Sequence, residues 1–279
     1  MSHDYKIKPI KGNQEKGIFS KDDWVNEGDN HYISANILRQ LTQADDVKAV
    51  VQSKSTNHAS KINLIKQHHS CLKSSVLLMC YSIELYCKAG LIRVYQNIPR
   101  VDFARIIKKQ YGHDITAMYN LIFDDQDKHK MLLDKLKPLI LYEARYPVDP
   151  KSDIHYYKEW NKISSEICSD KFYDELKSLS EKIKNAVSNI DSDKKDPAYF
   201  VAYNINEDGY CAIRTGGNLR PFMILKYSTE QIKDGADNLK ALNELFKNST
   251  LNPIRKSLIL NNKFHEIRVD EKIEKRRKD

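Results

Sequence analysis

The residues of this chain that stand out for chemistry are polar side chains that occur in pairs. The pairs are Glu84 with Lys88, His113 with Asp114, and Arg145 with Tyr146. Glu84 and Lys88 interrupt a strongly apolar segment and are four residues apart, in the acid-then-base order that is favourable on a helix. This first pair therefore also fits a structural salt bridge at the edge of a helix bundle.

His113 has two interpretations. An unperturbed imidazole titrates near neutral pH, so His113 could act as a general base near Arg145. The same sequence also fits a turn followed by a helix N-cap at Asp114, with the imidazole packed on Glu84 and Lys88. We favour this structural interpretation, because a single histidine without a recognisable partner spacing does not define a catalytic site.

Most signatures of catalysis are missing from the sequence. The chain has no Walker lysine loop, no GxGxxG, no HExxH, no GxSxG and no clustered Cys/His metal pattern. His68 and His69 are adjacent, and adjacent side chains on a helix point about 100° apart, so they cannot easily chelate one ion. We expect neither a metal nor a cofactor.

Residues 70–96 form the densest apolar run, and its spacing is helical. A helix that is apolar nearly all round has neighbours on several sides, so this segment is predicted to be the central helix. Other helices are predicted from Trp24 to about residue 42, and over residues 101–107, 115–123, 128–142 and 160–190, with a kink or break at Pro138.

The pattern changes after residue 197. Residues 199–205 and 210–214 predict two strands joined by a hairpin turn. An apolar run at 222–225 follows, and then a capping box at Ser228 and Gln231 predicts an amphipathic helix.

Composition favours a soluble, mainly helical protein: 41% of residues are hydrophobic, 30% are charged, and Gly and Pro are few. The net charge of +8 is a modest bias towards anionic partners, although the cations are scattered in short clusters. No membrane-spanning run and no signal segment are expected. The five cysteines form no CxxC pair, which favours a reducing, cytoplasmic location.

Three elements occur in order along the chain: Glu84-Leu-Tyr-Cys-Lys88-Ala, then Gly112-His113-Asp114-Ile, then Arg145-Tyr146-Pro. This arrangement resembles HEPN-domain proteins of prokaryotes, over roughly residues 24–190. The resemblance implies an antiparallel bundle of four or five helices, usually a homodimer, in toxin–antitoxin, phage-defence or RNA-processing systems. Many members cleave RNA without a metal, using an Arg followed by four to six residues and then His.

This sequence departs from that motif. Arg105 is the nearest arginine before His113, and seven residues separate them, with Gly112 breaking the helix between. Arg145 is still farther from the next histidine. We therefore expect an accessory protein that binds RNA or a nucleotide without the standard catalytic motif. The alternatives are a divergent metal-independent ribonuclease using Arg105, His113 or Arg145, and a non-catalytic module that docks a partner protein of the same operon.

The predicted architecture is a mainly α protein with three parts. Residues 1–22 are assigned to a flexible arm, residues 23–192 to a HEPN-like helical bundle that forms a homodimer, and residues 197–279 to a small α+β appendage with a β-hairpin, a helix and a charged tail. Within the bundle, Glu84, Lys88, Asp114 and Tyr146 are assigned to binding.

Overall fold

The computed structural model describes residues 8–12, 15–43, 58–123, 126–143, 153–205, 208–233 and 264–267. This part of the chain is mainly helical, which confirms the predicted class. The helices are α1 (Lys21–Gln43), α2 (His58–Val94), α3 (Arg100–Arg105), α4 (Ile115–Ile122), α5 (Gln126–Pro138), α6 (Asp153–Cys168), α7 (Asp170–Ser188) and α8 (Thr229–Lys233). π-Helical turns continue α3 over Ile106–Tyr111 and α5 over Leu139–Glu143.

The chain groups into two compact units. The helical unit comprises the described parts of Lys16–Ile92 and Arg105–Ser188. The sheet unit comprises the described parts of Met1–Glu15, Arg93–Ala104 and Asn189–Asp279. This grouping places residues 8–12 and 93–104 with the C-terminal strands, whereas the sequence analysis assigned the first to an arm and the second to the bundle.

Helix α2 is the core of the helical unit. Cys80, Ile83, Cys87 and Leu91 on this helix are fully buried, as their helical spacing predicts. The helix begins at His58, before the apolar run of residues 70–96 from which it was predicted, because extending a helix that is already packed costs little. By length and composition α2 could cross a membrane, but 72% of its most apolar window is buried inside the protein, which accounts for that composition.

Three polar contacts connect α1, α2 and α7. The Asp29 carboxylate accepts from the Tyr86 hydroxyl at 2.5 Å and lies 2.7 Å from Lys184 Nζ. Tyr32 donates to Glu181, and burial together with this bond raises the pKa of Tyr32 to about 12. Because each polar group meets a partner on another helix, the three helices are fixed in one register.

The single helix predicted over 160–190 is wrong, because the structure contains two helices that meet at Ser169. The Ser169 hydroxyl accepts from Phe172 N–H at 3.2 Å and so caps the start of α7. Arg39, 3% exposed, donates to the carbonyls of Ile167 and Cys168 at the end of α6. A buried arginine thus satisfies carbonyls that the helix itself cannot.

The sheet unit contains four strands in the order β1 (Tyr199–Ile205), β2 (Gly209–Thr215), β3 (Phe222–Lys226) and β4 (Phe264–Ile267). The first three are antiparallel and β4 pairs parallel to β3. The register of β1 on β2 confirms the predicted hairpin. Most of the amphipathic helix predicted after Gln231 lies outside the described residues. Arg145 and Tyr146 lie outside them entirely.

An N-terminal segment packs in the same unit as these strands. Ile10 is fully buried, its N–H donates to Ile98 O, and its carbonyl accepts from Asn97 N–H. The Asp102 carboxylate, 1% exposed, lies 3.2 Å from Lys226 Nζ and accepts from the Tyr210 hydroxyl. Backbone pairing and a buried ion pair therefore join distant parts of the sequence.

Gly28 gives a test of the packing between α1 and α2. A Cβ at this position would lie 2.5 Å from Cε1 of Tyr86, a fully buried ring held by Asp29. We expect Gly28→Ala to lower the free energy of unfolding by about 1–3 kcal/mol, although alanine favours helix by about 1 kcal/mol. Urea denaturation measures the change. Asn26→Ala, at an exposed position of the same helix, should change stability by less than about 0.5 kcal/mol, and equal effects of the two substitutions would contradict this packing.

Candidate functional site

A buried carboxylate lies at the centre of the candidate site. The Glu84 side chain on α2 is 4% exposed, and its two oxygens contact different side chains. Oε1 lies 2.5 Å from Lys88 Nζ, one turn along the helix, and Oε2 lies 2.9 Å from His113 Nδ1. The structure therefore brings together three of the predicted site residues in one hydrogen-bonded group.

His113 is positioned by the turn between α3 and α4. Gly112 has φ +50°, a left-handed conformation that favours glycine, and its N–H donates to Ile107 O. Asp114 N–H then donates to Tyr111 O, and the Asp114 carboxylate accepts from Ala117 N–H at 3.0 Å. This confirms Asp114 as the predicted N-cap of α4. Backbone bonds on both sides of His113 thus aim its ring at Glu84.

Two further residues contact the group, and the sequence analysis did not assign them to the site. Lys88 Nζ lies 5.5 Å from the centroid of the Trp24 ring, a cation–π contact to α1. Lys137 Nζ on α5 lies 3.2 Å from Asp114 Oδ2. Neither contact has a signal in the sequence, because each joins residues far apart in the chain.

The group has the arrangement of a carboxylate–imidazole dyad. When His113 is neutral with its proton on Nδ1, that proton is donated to Glu84 and Nε2 carries the lone pair. The imidazole is 41% exposed, so a molecule from solvent can approach the ring. Burial raises the pKa of the nearby Cys80 and Cys87 thiols, and the charge of Glu84 raises it further. These thiols are therefore not nucleophiles at neutral pH.

The other predicted catalytic residues are not seen in this group. Arg105 ends α3 with its side chain exposed, and within the described residues no hydrogen bond or ion pair joins it to His113 or Glu84. Arg145 and Tyr146 lie outside the described residues, so their predicted roles stay predictions. Among the residues that the structure describes, no group of three or more His, Cys, Asp or Glu side chains could hold a metal ion.

A second feature of the helical unit is an open groove of about 1070 Å³ between α5 and α7, which we call the lysine groove. Its basic residues are Lys128, His129, Lys135, Lys171 and Lys182, and its acidic residues are Asp174 and Glu175. Met131, 83% exposed, adds an apolar rim. The lining is therefore positive on balance and partly apolar.

Two of these lysines are held in place by neighbouring side chains. Lys135 Nζ lies 2.6 Å from Glu166 Oε1 and 5.5 Å from the centroid of the Phe172 ring. Lys182 Nζ donates to the Tyr119 hydroxyl at 2.8 Å. Lysine side chains held in this way lose less conformational entropy when they bind an anion.

The Glu84–Lys88 pair makes a prediction for stability. Glu84→Gln should lower the free energy of unfolding by about 3 kcal/mol, because the Lys88 ammonium, 12% exposed, loses its charged partner. In the double variant Glu84→Gln/Lys88→Met, the loss should be smaller than the sum of the two single losses. Urea denaturation of the four proteins measures this coupling.

An exposed pair with the same spacing supplies the control. Lys130 Nζ lies 2.9 Å from Asp134 Oδ2, and these side chains are 62% and 50% exposed. Asp134→Asn should lower the free energy of unfolding by less than about 0.5 kcal/mol. If the losses in free energy of unfolding caused by the Glu84 and Lys88 substitutions were strictly additive, the contact between these residues would contribute nothing to folding.

Comparison of the chain with models of protein families, with curated proteins and with solved structures finds no match. The HEPN resemblance thus depends on the three motifs quoted above.

Proposed function

We propose that this protein binds RNA through the lysine groove, as a HEPN-like accessory protein of a prokaryotic defence, toxin–antitoxin or stress system. The single observation that carries the proposal is the concentration of lysines along one groove between α5 and α7. The biological setting comes from the motif resemblance alone.

The charge of the groove supports a polyanionic ligand. Four lysines and a histidine face two carboxylates in the lining, and the chain as a whole carries +8. Lysines neutralise phosphates and release their counterions, which supplies most of the affinity in nucleic-acid binding that does not depend on sequence. The open shape of the groove suits a flexible strand.

The apolar part of the lining supports RNA whose bases are accessible. Met131 is almost fully exposed beside the lysines. Single-stranded nucleic acids present bases as well as phosphates, and proteins that bind them combine charged grooves with aromatic side chains on which the bases stack. In this groove Met131 offers the bases an apolar surface beside the lysines.

Substitution of two groove lysines tests the proposal. Lys128→Ala/Lys171→Ala should weaken binding of a fluorescent single-stranded RNA of mixed sequence by about tenfold in anisotropy titrations. The plot of log affinity against log salt should also become shallower by about 0.7 for each phosphate contact removed. The same titration with DNA of matched sequence measures the preference for RNA.

The control variant removes the same charge elsewhere. Lys108→Ala/Lys109→Ala changes two exposed lysines that do not line the groove, and it should leave affinity nearly unchanged. Equal losses in both double variants would contradict the lysine groove as the binding surface. No RNA binding by the wild type, with a protein partner that co-purifies instead, would favour the interaction module.

A second candidate is a metal-independent ribonuclease, and the geometry of His113 favours it. Nδ1 contacts the buried carboxylate of Glu84, and this leaves Nε2 to accept a proton from a ribose 2′-hydroxyl. Exposure of 41% makes the ring accessible to such a substrate. Arg105 or Arg145 would have to hold the phosphate.

Cleavage of mixed RNA in the presence of EDTA tests this candidate. Wild type should cleave, and His113→Gln should reduce the rate by about 10²–10⁴-fold, as expected for loss of a general base. His31→Gln is the matched control, because His31 lies 3.7 Å from Glu27 on α1 and resembles His113 in having a carboxylate partner. Intact RNA with wild type, or equal rates in the two variants, would exclude His113 as the base.

A further inference from the structure

The sheet unit contains a group of buried charges that neither proposed function uses. Two guanidinium groups share one carboxylate: Arg214 Nη2 donates to Asp191 Oδ1, and Arg93 Nε lies 3.7 Å from Asp191 Oδ2. The Arg214 side chain is 2% exposed and that of Arg93 is 8% exposed, whereas that of Asp191 is 20% exposed. Two buried guanidinium groups therefore meet at the Asp191 carboxylate.

A second carboxylate lies near this group. Asp196 is close enough to affect Arg214, and its Oδ2 accepts from Asn218 N–H. Burial lowers the pKa of Arg214 despite the attraction of Asp191. Among the described residues, Nε and Nη1 of Arg214 have no hydrogen-bond partner. Buried donors without a hydrogen-bond partner are costly, which marks Arg214 as a strained member of the group.

A cavity of about 420 Å³ lies beside these charges, and we call it the guanidinium pocket. The polar residues that line it are Arg93, Gln96, the Asp191 carboxylate and Lys11, whose side chain has no ion pair among the described residues. Arg93 Nη1 donates to Gln96 Oε1 at 3.2 Å, which fixes the two side chains against each other. The pocket thus offers a guanidinium, an amide and an ammonium group as donors.

Gly12 leaves space in front of these donors. A Cβ at Gly12 would lie 3.6 Å from Arg93 Nη1 and 3.6 Å from Gln96 Nε2, which is the space that a bound group would occupy. Gly12 also has φ +57°, a conformation that side chains rarely adopt. Backbone geometry and access both favour glycine at this position.

The remaining wall is apolar. Phe200 lines the pocket, and the Arg214 guanidinium lies 5.2 Å from the centroid of its ring. A volume of about 420 Å³ falls in the range of small-molecule sites, roughly 300–1,000 Å³, and exceeds what a free phosphate ion needs. The pocket therefore suits an anionic group attached to a larger organic body.

We propose that the guanidinium pocket binds the phosphate group of a small phosphorylated ligand, such as a nucleoside monophosphate. Phosphate oxygens match the fixed donors of Arg93 and the charge of Lys11, and the lining holds these two cations against the one carboxylate of Asp191. Asp191 does not exclude the phosphate, because both of its oxygens face arginines. The proposal does not depend on RNA binding in the lysine groove.

Calorimetric titration of the full chain with inorganic phosphate, AMP and adenosine, at matched ionic strength, tests the pocket. Phosphate and AMP should bind and compete with each other, whereas adenosine should not bind. Lys11→Ala should weaken phosphate and AMP about tenfold, which corresponds to one lost charge-assisted hydrogen bond. Arg93→Lys keeps the charge but removes the planar fork, so it should also weaken both ligands.

Lys8→Ala is the matched control, because Lys8 is exposed, belongs to the same unit and does not line the pocket. It should bind AMP like wild type, and thermal unfolding should show that all variants remain folded. The proposal is overturned if neither phosphate nor AMP binds wild type, if adenosine binds as tightly as AMP, or if Lys11→Ala and Lys8→Ala behave alike. RNA affinity should be the same in Lys11→Ala and wild type, so the two proposals can fail separately.

Discussion

The burial of the Glu84 carboxylate is the constraint on which the helical unit depends. A carboxylate removed from water must meet cations or donors, or the folded state becomes unstable. Lys88 can reach it from the next turn of α2, but the second oxygen requires His113, which follows α3. The turn at Gly112 and the N-cap at Asp114 are therefore needed to bring a hydrogen-bond partner to a buried carboxylate on a helix far away in the sequence.

Both units place charged side chains in their interiors, and in both the buried charges connect segments that are distant in sequence. In the helical unit, Arg39 on α1 satisfies the end of α6 and pairs with Asp170 on α7. In the sheet unit, Asp102 holds Lys226 from β3. The group around Asp191 differs, because two arginines share its carboxylate beside the guanidinium pocket.

Local sequence patterns predicted most elements, and tertiary contacts decided the exceptions. The apolar spacing around Ile83, the N-cap at Asp114 and the hairpin after residue 199 were correct, since each depends on neighbours in the chain. The break at Ser169 was missed because helical spacing continues across it, and only the Ser169 cap and Arg39 show why two helices form. The parallel pairing of β4 with β3 was also missed, because it joins strands separated by many residues.

The sequence by itself determined the helical class, the central helix and the short motif that sets His113 beside a helix start. It also identified Glu84, Lys88, His113 and Asp114 as candidates, because residue type and local spacing suffice for that. Only the tertiary structure decided that Glu84 binds Lys88 and His113 at once, that lysines of α5 and α7 share a groove, and that Arg93 and Arg214 share Asp191. The physical reason is that charged side chains pair with residues that are distant in the chain. Such pairs produce no periodic pattern in the sequence.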